Sequence, residues 1–530
     1  MTTGNGTGGQ SRNLILAAMI FAVAMTFIDQ TIVSIAAPEI QKELGLTSTG
    51  VQWAINAYLL SLAALFAFGG RLADTVGHRK MVTLGVIVFA GASAMCGLTP
   101  KGSLAEAWIV TFRVIQGAGG AIMFPAALAI VVQTFALRER GRALAIFFGI
   151  AGGLTAIGPI LGGYLTQWTW RAIFWVNIPV AIVALVLIVL SKPTTVHRPA
   201  RMDYRGLALI ASGVALSVFG FQQSSIWGWG SPGTWACIVG GAVLLVVFYF
   251  VELRTSSPLI EVHIFRIQAF LVENLVLAIT MLVFVPVFFF ASEYAQIGLG
   301  KTPTQAGLFL LYFFIGFVVA AQIGGRMLDR VGAKRPVTLG CALGAVGFWL
   351  WAGKVTELDF GSQQWFIILA GAGMGFMLGP ASTDAVNRAS RLSYGEATGI
   401  TQTIRNYSAS LGLAILGTIL VSQMRSRVTS SLISAGVPRA RAHIEASNIS
   451  QSQGGNGGVA SIPHFVRLDF AYATRSVLYV MAAIMAVAAI VAFVGLRAGP
   501  QEETDAADAH EQVDGPGRPG MVEPEGEALA

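Results

Sequence analysis

The chain has 530 residues, of which 55% are hydrophobic and only 12% are charged, about half the charged fraction of a soluble globular domain. Apolar runs of about 18 residues or more recur along nearly its whole length, and each is long enough to cross a bilayer as a helix. This composition excludes a soluble domain, and the formal charge of +7 does not indicate nucleic-acid binding because the bases lie in short loops between the runs.

The first apolar run, from Leu14 to Ala36, is too long for the core of a secretory signal, and similar runs follow it. We therefore interpret it as a retained membrane span. Residues 1–12 are predicted to form a disordered cytoplasmic N-terminus. Residues 498–530 are predicted to form a disordered cytoplasmic tail, because the segment from Gln501 holds nine acids and one base.

Hydropathy predicts fourteen membrane spans and an all-α integral membrane fold. They begin near Leu14, Val51, Met81, Ala105, Arg142, Ile173, Gly206, Trp235, Ala269, Thr304, Pro336, Gln364, Ala397 and Val477. If the N-terminus is cytoplasmic, the short inner loops hold eighteen Lys and Arg and the short outer loops hold five. This asymmetry predicts a multi-pass protein of the plasma membrane with both termini in the cytoplasm and one long outer loop, 422–475.

One charged, glycine-bounded phrase occurs twice in this apolar chain. "GGRLADTVGHRK" covers Gly69–Lys80, and "GGRMLDRVGAKR" covers Gly324–Arg335 at an offset of 255 residues. Two further pairs of phrases align at an offset of 254, beginning at Gly117 and Gly371 and at Arg140 and Tyr394. The chain is therefore predicted to contain two related halves in parallel orientation, as in transporters whose halves are related about the membrane normal.

The offset also predicts an insertion. Eight spans separate the copies of the repeated phrase, whereas two six-span halves would place six between them. The simplest explanation is a two-helix hairpin, 206–252, inserted between a six-helix bundle over 13–192 and a second over 269–497.

Two opposite charges lie at bilayer depth, where each costs at least about 2.5–3.5 kcal/mol. Asp29 lies about 10 Å below the outer end of the first span, and Arg113 about 12 Å below the outer end of the fourth. A nearby base would keep Asp29 ionised, and separating the two would favour the protonated acid, as proton coupling requires. The alternative is a static ion pair that joins two spans. The repeat places Ile367 and the apolar neighbourhood of Val283 at the equivalent positions, so the fold alone does not require these charges.

The fifth span carries glycines that predict close helix packing. The set with its proline comprises Gly149, Gly153, Gly158, Pro159, Gly162 and Gly163. Pro159 removes one backbone hydrogen bond and permits a local bend.

Arg405 lies about 12 Å inside the thirteenth span, where it would line a substrate cavity or pair with a backbone carbonyl. Glu273, Asp384 and Glu293 lie near helix ends and favour solvated or gate positions. These charges indicate a substrate that is apolar and neutral, zwitterionic or monocationic.

Other motifs argue against cofactor chemistry. The cysteines have no CxxC pair and no histidine at ligand spacing, so we interpret them as small apolar side chains. "GLGKT" at Gly298 would need a glycine at Ala295 to match a phosphate-binding loop, and "GAGGA" at Gly117 lacks the third spaced glycine of a dinucleotide site. No cofactor, metal, ATP or nucleic acid is expected.

Several phrases resemble, in order, the motifs of the major facilitator superfamily and specifically its fourteen-span drug:proton antiporter branch. They are "FIDQTIVSIAAPEI" in the first span, "GGRLADTVGHRK" in the loop after the second, "FRVIQGAGGAIMFP" in the fourth, "GGLTAIGPILGGYL" in the fifth and "WRAIFWVNIP" before the sixth. The resemblance covers roughly residues 13–497.

The resemblance implies two pseudo-repeated six-helix bundles and functional roles for the charged positions. It implies proton coupling or substrate contact for Asp29, proton coupling for Arg113, and control of leak and alternating access by the packing of the fifth span. It also implies a cytoplasmic gate formed by Gly70, Asp74, Gly77 and Arg79 and by Asp329, Arg330 and Gly332. The first copy departs from the family pattern because Thr75 replaces the basic residue that usually follows the Asp.

We therefore predict a secondary transporter, not an enzyme, that exports small lipophilic drugs or metabolites in exchange for protons. It is expected to act as a monomer within membrane lipid. One alternative is a dedicated exporter of one natural product, siderophore or lipid. A second is a membrane sensor or scaffold that keeps the fold without transport.

Overall fold

The computed structural model describes residues 7–135, 137–193, 202–387, 394–452 and 463–499. The regular structure in these ranges is helical. The α-helices are α1 Thr7–Leu44, α2 Ser48–Val76, α3 His78–Gly97, α4 Ala105–Thr134, α5 Leu137–Trp168, α6 Ala172–Trp175, α7 Asn177–Ser191, α8 Tyr204–Trp227, α9 Pro232–Glu252, α10 Gln268–Glu293, α11 Pro303–Val331, α12 Lys334–Lys354, α13 Gln364–Asn387, α14 Tyr394–Ser434, α15 Arg439–Ser452 and α16 His464–Gly495.

Fourteen helical segments in the described ranges are long and apolar enough to cross a membrane. A helix satisfies every backbone polar group within its own segment, which the bilayer core demands. The predicted all-α fold with fourteen spans is confirmed, and α6 with α7 together form the sixth span. Turns between spans use glycines where the backbone requires them, as at Gly77 with a φ of 108° and Gly332 with a φ of 75°.

Two predicted boundaries are wrong. Residues 7–12, predicted to be disordered, form the beginning of α1, whereas 1–6 and 500–530 lie outside the described residues. Much of the predicted outer loop 422–475 is helical, because α14 continues to Ser434, α15 follows it, and α16 begins at His464 instead of near Val477.

Packing between helices explains these extensions. Arg427 on α14 and Arg475 on α16 stack on the ring of Tyr472, at 4.6 and 5.0 Å from its centroid. The Arg427 contact joins α14 to α16, and the Arg475 contact lies within α16. Cation–π contacts of this kind stabilise polar helix ends without a continuous apolar run. Hydropathy alone therefore ends α14 too early and begins α16 too late.

The repeat in the sequence is matched by a repeat in the packing. A Cβ atom added to Gly117 of α4 would lie 2.6 Å from the backbone oxygen of Tyr58 on α2. One added to Gly371 of α13 would overlap the backbone oxygen of Phe313 on α11. Phe313 and Gly371 stand at the repeat offset from Tyr58 and Gly117, so the same glycine permits the same close helix crossing in the first half, α1–α7, and in the second half, α10–α16.

The two halves contact each other through α1 with α10, α5 with α11 and α2 with α14. We call the end that holds Leu44–Ser48 the distal end and the end that holds Val76–His78 the motif end. Near the distal end, Gln296 Nε2 donates to the Ile35 carbonyl at 2.9 Å, and Thr304 Oγ1 donates to the Gly163 carbonyl at 2.9 Å. These bonds hold the halves together at the distal end.

Helices α8 and α9 form a hairpin, and α8 also packs against α2 of the first half and α14 of the second. Gln222 of α8 accepts a hydrogen bond from Asn56 Nδ2 at 2.8 Å and donates to the Thr49 carbonyl at 3.3 Å. Asn56 Oδ1 in turn accepts a hydrogen bond from Ser410 of α14. One buried polar network thus joins the hairpin to both halves. That the hairpin is an insertion between them stays a prediction.

We expect Gln222→Leu to lower the free energy of unfolding by about 1–3 kcal/mol, because it leaves the buried Asn56 amide without its acceptor. Gln223→Leu is the matched control, since the Oε1 atom of Gln223 is buried without a hydrogen-bond partner among the described residues. Thermal unfolding in detergent measures both variants. Equal unfolding temperatures would contradict a stabilising role for this network.

Candidate functional site

The structure brings Asp29 of α1 and Arg113 of α4 into direct contact. Arg113 Nη1 donates to Asp29 Oδ2 at 2.5 Å, and each residue is only 1% exposed. The sequence placed both at similar depth, and the helices bring them face to face. The result is a fully buried ion pair within the first half.

Gln116 completes the site, and the sequence reasoning missed it. Its Nε2 donates to Asp29 Oδ1 at 2.9 Å, and its Oε1 accepts from Arg113 Nη1 at 2.7 Å. Both carboxylate oxygens of Asp29 therefore accept a hydrogen bond. Its spacing in the sequence could have revealed it, because a residue three positions after Arg113 lies on the same helix face as Arg113.

Arg113 has partners beyond Asp29. Its Nε donates to the Ala54 carbonyl at 2.8 Å, and its guanidinium lies 4.4 Å from the ring centroid of Tyr58. The Tyr58 hydroxyl is fixed by a 3.2 Å bond to the Thr26 carbonyl. Because a buried cation needs compensation, these contacts give the Arg113 guanidinium partners besides the Asp29 carboxylate.

The equivalent region of the second half is apolar. The repeat offset that relates Tyr58 to Phe313 places Phe284 opposite Asp29, and the ring centroids of Phe284 and Phe313 lie 6.5 Å apart. Phe288 contacts both rings, with centroid distances of 5.2 and 5.5 Å. The protein therefore has a charged cluster in one half and an aromatic cluster in the other.

Arg405 lies on α14 and is separate from the charged cluster. Its Nε is buried without a hydrogen-bond partner among the described residues. In the same ranges it makes no ion pair with Asp29, and the carbonyl pairing considered from the sequence is not seen at Nε. The cavity role stays a prediction.

The first copy of the loop motif lies at the end of α2. Asp74 Oδ1 and His78 Nε2 are 3.1 Å apart, and Thr75 Oγ1 donates to the Leu72 carbonyl at 3.0 Å. The Thr75 hydroxyl thus turns back on its own helix. Arg71 Nη2 donates to the Pro258 carbonyl at 2.8 Å and joins α2 to the segment after the hairpin.

The other residues of the loop motif are described by their packing and exposure. Gly70 lies against Pro125, with 3.6 Å between a Cβ placed on it and the Pro125 Cβ, and Arg79 is half-buried. In the second copy Asp329 and Arg330 are exposed. Neither makes an ion pair within the described ranges.

The glycines of α5 allow close packing against two helices, α1 and α11. A Cβ on Gly158 would lie 3.1 Å from the Ile28 carbonyl oxygen of α1, and one on Gly162 would lie 2.9 Å from Ile32 Cγ1. Gly163 faces α11 of the second half instead. Pro159 also meets α11, since a Cβ on Gly307 would overlap the Pro159 carbonyl oxygen, and Gly153 has open space. The local surroundings of Gly149 lie outside the described set.

Three acids at helix ends are more buried than expected. Glu273, Asp384 and Glu293 are each at most 1% exposed, so the expectation of solvated positions is wrong. The described residues contain no group of three or more His, Cys, Asp or Glu side chains placed to hold a metal ion.

Comparison with known proteins finds one family and relatives named as resistance or export proteins. The model of the Major Facilitator Superfamily matches residues 19–413. The tetracenomycin C resistance and export protein of Streptomyces glaucescens is 33% identical, over 83% of this chain and 81% of its own. The puromycin resistance protein of Streptomyces alboniger is 32% identical, over 77% of this chain and 80% of its own.

Solved structures share the fold at low sequence identity. A bacterial homologue of the human lysosomal transporter Spinster, in an inward-facing and unoccupied conformation, superposes with a TM-score of 0.59 at 16% identity and covers 92% of this chain and 97% of its own. The xylose transporter XylE from E. coli gives a TM-score of 0.58 at 12% identity, over 92% and 98%. At such identities the likeness shows the fold alone.

Proposed function

Because the chain belongs to the Major Facilitator Superfamily, whose members are multi-pass membrane transporters and not enzymes, we propose that it exports small lipophilic drugs or metabolites in exchange for protons. The observation that carries this proposal is the buried cluster of Asp29, Arg113 and Gln116. A carboxylate enclosed by a base and an amide is a group that can bind and release a proton as its surroundings change.

The proposed orientation places both termini in the cytoplasm and the protein in the plasma membrane. The excess of bases in the loops on one side of the spans supports it. The distal end is then outside, and its closed contacts correspond to an inward-facing conformation. The bundles 13–192 and 269–497 are proposed to rock against each other, with 206–252 as the inserted hairpin.

We propose a transport cycle based on the charged cluster of Asp29, Arg113 and Gln116. In the inward-facing conformation Asp29 is ionised and bound to Arg113 and Gln116. In the outward-facing conformation a proton from outside neutralises Asp29, while Arg113 keeps the Ala54 carbonyl and the Tyr58 ring. Reopening to the cytoplasm restores the ion pair and releases the proton inside, so substrate leaves as a proton enters.

The substrate is proposed to bind between the halves, with Arg405 and Asp29 at the cavity. The aromatic cluster around Phe284, Phe288 and Phe313 favours a lipophilic compound, because aromatic rings offer large apolar contact areas. With one acid, Asp29, and one base, Arg405, at the proposed cavity, neutral, zwitterionic and monocationic compounds fit this environment. The transporter is proposed to act as a monomer in membrane lipid.

The motif residues are proposed to control the conformational change. Gly70, Asp74, Gly77 and Arg79, with Asp329, Arg330 and Gly332, form the cytoplasmic gate. The α5 set, namely Gly149, Gly153, Gly158, Pro159, Gly162 and Gly163, controls helix packing as the halves move. The contacts of Gly158 and Gly162 with α1 and of Gly163 with α11 support this division.

A dedicated exporter of one natural product is the second candidate. Two relatives support it, because one is named for resistance to tetracenomycin C alone and the other for resistance to puromycin alone. The same fold and the same coupling pair would serve such a substrate.

A drug panel on cells that express the protein tests the proposal. We expect raised minimum inhibitory concentrations for several lipophilic compounds, and efflux that stops when the pH gradient is collapsed. Protection against one compound alone supports the dedicated exporter. Protection against none, with no gradient-dependent efflux of any panel compound, contradicts export and supports a scaffold.

A further inference from the structure

A pair of acids lies at the base of the hairpin, far along the chain from Asp29. Asp203 precedes α8 and caps it, because its Oδ1 accepts from the backbone N–H groups of Arg205 at 3.0 Å and Gly206 at 2.8 Å. Asp residues commonly satisfy free N–H groups at helix starts in this way. Its other oxygen, Oδ2, is buried without a hydrogen-bond partner among the described residues.

Glu252, the last residue of α9, shows the same division. It is 1% exposed, and its Oε2 accepts from the backbone N–H of Ile260 at 3.2 Å. Its Oε1 is buried and, within the described part of the chain, has no hydrogen-bond partner. Each acid therefore uses one oxygen for the backbone and leaves the other free.

The two free oxygens converge on one point. A Cβ atom placed on Gly206 would lie 2.6 Å from Asp203 Oδ2 and would overlap Glu252 Oε1. Glycine at this position leaves the space in which the carboxyl groups approach each other. An ionised carboxylate only accepts hydrogen bonds, so two ionised acids here would repel each other and leave both oxygens unsatisfied.

We propose that Asp203 and Glu252 share one proton, which makes the hairpin base a protonation site separate from Asp29. A proton taken from water forms an O–H bond on one carboxyl group and a hydrogen bond to the other. Both free oxygens then take part in one hydrogen bond, and neither needs a further partner. A proton between two facing carboxyl groups removes the repulsion between their charges, which favours its binding.

The neighbouring bases do not neutralise this pair. Arg205 and Arg254 border an open groove of about 350 Å³ beside Val247 and Phe250. Arg71 of α2 donates to the Pro258 carbonyl instead. Within the described ranges none of the three forms an ion pair with either acid.

The shared proton stabilises the connection between the hairpin and the second half. Glu252 holds the backbone of Ile260, and Leu259 and Ile260 pack in one apolar cluster with Phe270 of α10. Loss of the proton sets two negative charges against each other beneath this segment. Because Arg71 of α2 bonds to Pro258 in the same segment, that repulsion acts where the first half meets it.

The pair predicts a pH-dependent stability with a definite sign. The folded state holds a proton that the unfolded chain releases, so the stabilisation is present at low pH and is lost as pH rises. As pH rises above about 4, the ordinary pKa of a free carboxyl group, the unfolding temperature of the purified protein should fall. Asp203→Asn should remove this dependence, because Asn still caps α8 and its amide donates to Glu252 at every pH.

Infrared spectroscopy observes the proton directly. The wild-type protein should show the C=O band of a protonated carboxyl group near neutral pH, and Asp203→Asn and Glu252→Gln should each lose intensity in that band. Glu445→Gln, at an exposed acid of α15, is the control and should lose none. An unchanged band and an unchanged pH dependence in either folded variant would overturn the proposal. So would loss of the wild-type band on adding Na⁺ at constant pH, which would identify a cation site.

Discussion

Replacing Asp29 with Asn is expected to abolish uphill, proton-driven efflux and to leave downhill transport in place. The amide has the same size and still accepts a hydrogen bond from Arg113, but it binds no proton in the working pH range. Arg113 keeps the Ala54 carbonyl, Gln116 Oε1 and the Tyr58 ring, so the fold persists. Cells loaded with a fluorescent substrate and then energised measure the effect at matched expression.

Asp359→Asn is the control for this substitution. Asp359 is exposed and accepts a hydrogen bond from the Ser362 backbone, which Asn also accepts. Efflux should therefore equal that of the wild type. Uphill efflux by Asp29→Asn at the wild-type rate would show that proton coupling uses another group.

Replacing Gly163 with Ala is expected to open the distal end. The added Cβ would lie 2.7 Å from the Pro303 carbonyl oxygen and 2.8 Å from Thr304 Cα, so α5 and α11 must separate there. Overpacking of this kind costs about 1–3 kcal/mol. Because only the distally closed conformation carries this cost, the ratio of the closed to the open conformation falls roughly 5- to 150-fold. Distances between spin labels at the distal ends of α5 and α11 should lengthen, and efflux should slow.

Gly91→Ala on α3, outside the α5 set, is the matched control. No described atom lies within 4 Å of a Cβ at this position, so the methyl group meets open space. The label distances should stay those of the wild type. Equal distances for Gly163→Ala and the wild type would contradict the assignment of this crossing as the distal closure.

The sequence carried the features that the bilayer imposes. Apolar runs predicted the spans because a crossing helix needs a minimum length, and the repeat predicted equivalent crossings such as Gly117 on Tyr58 and Gly371 on Phe313. Depth along two helices was enough to pair Asp29 with Arg113. These inferences need only helix geometry and the cost of buried charge.

Side-chain partners that depend on tertiary packing were not accessible in this way. Gln116 and Tyr58 join the charged cluster through the relative rotation of α1, α2 and α4, which no local pattern encodes. The pairing of Asp203 with Glu252 depends on how the hairpin closes. The helical structure of 439–452 was missed because a polar helix that is not a membrane span leaves no hydropathy signal.

The central claim is that substrate leaves as a proton enters through Asp29. The most direct measurement uses purified protein in liposomes that contain a pH-sensitive dye, with a substrate identified by the drug panel supplied on one side. For the wild type, substrate movement should drive protons in the opposite direction, and Asp29→Asn should carry substrate downhill with no proton movement. Substrate transport without proton movement in the wild type, or unchanged proton movement in Asp29→Asn, would contradict the account.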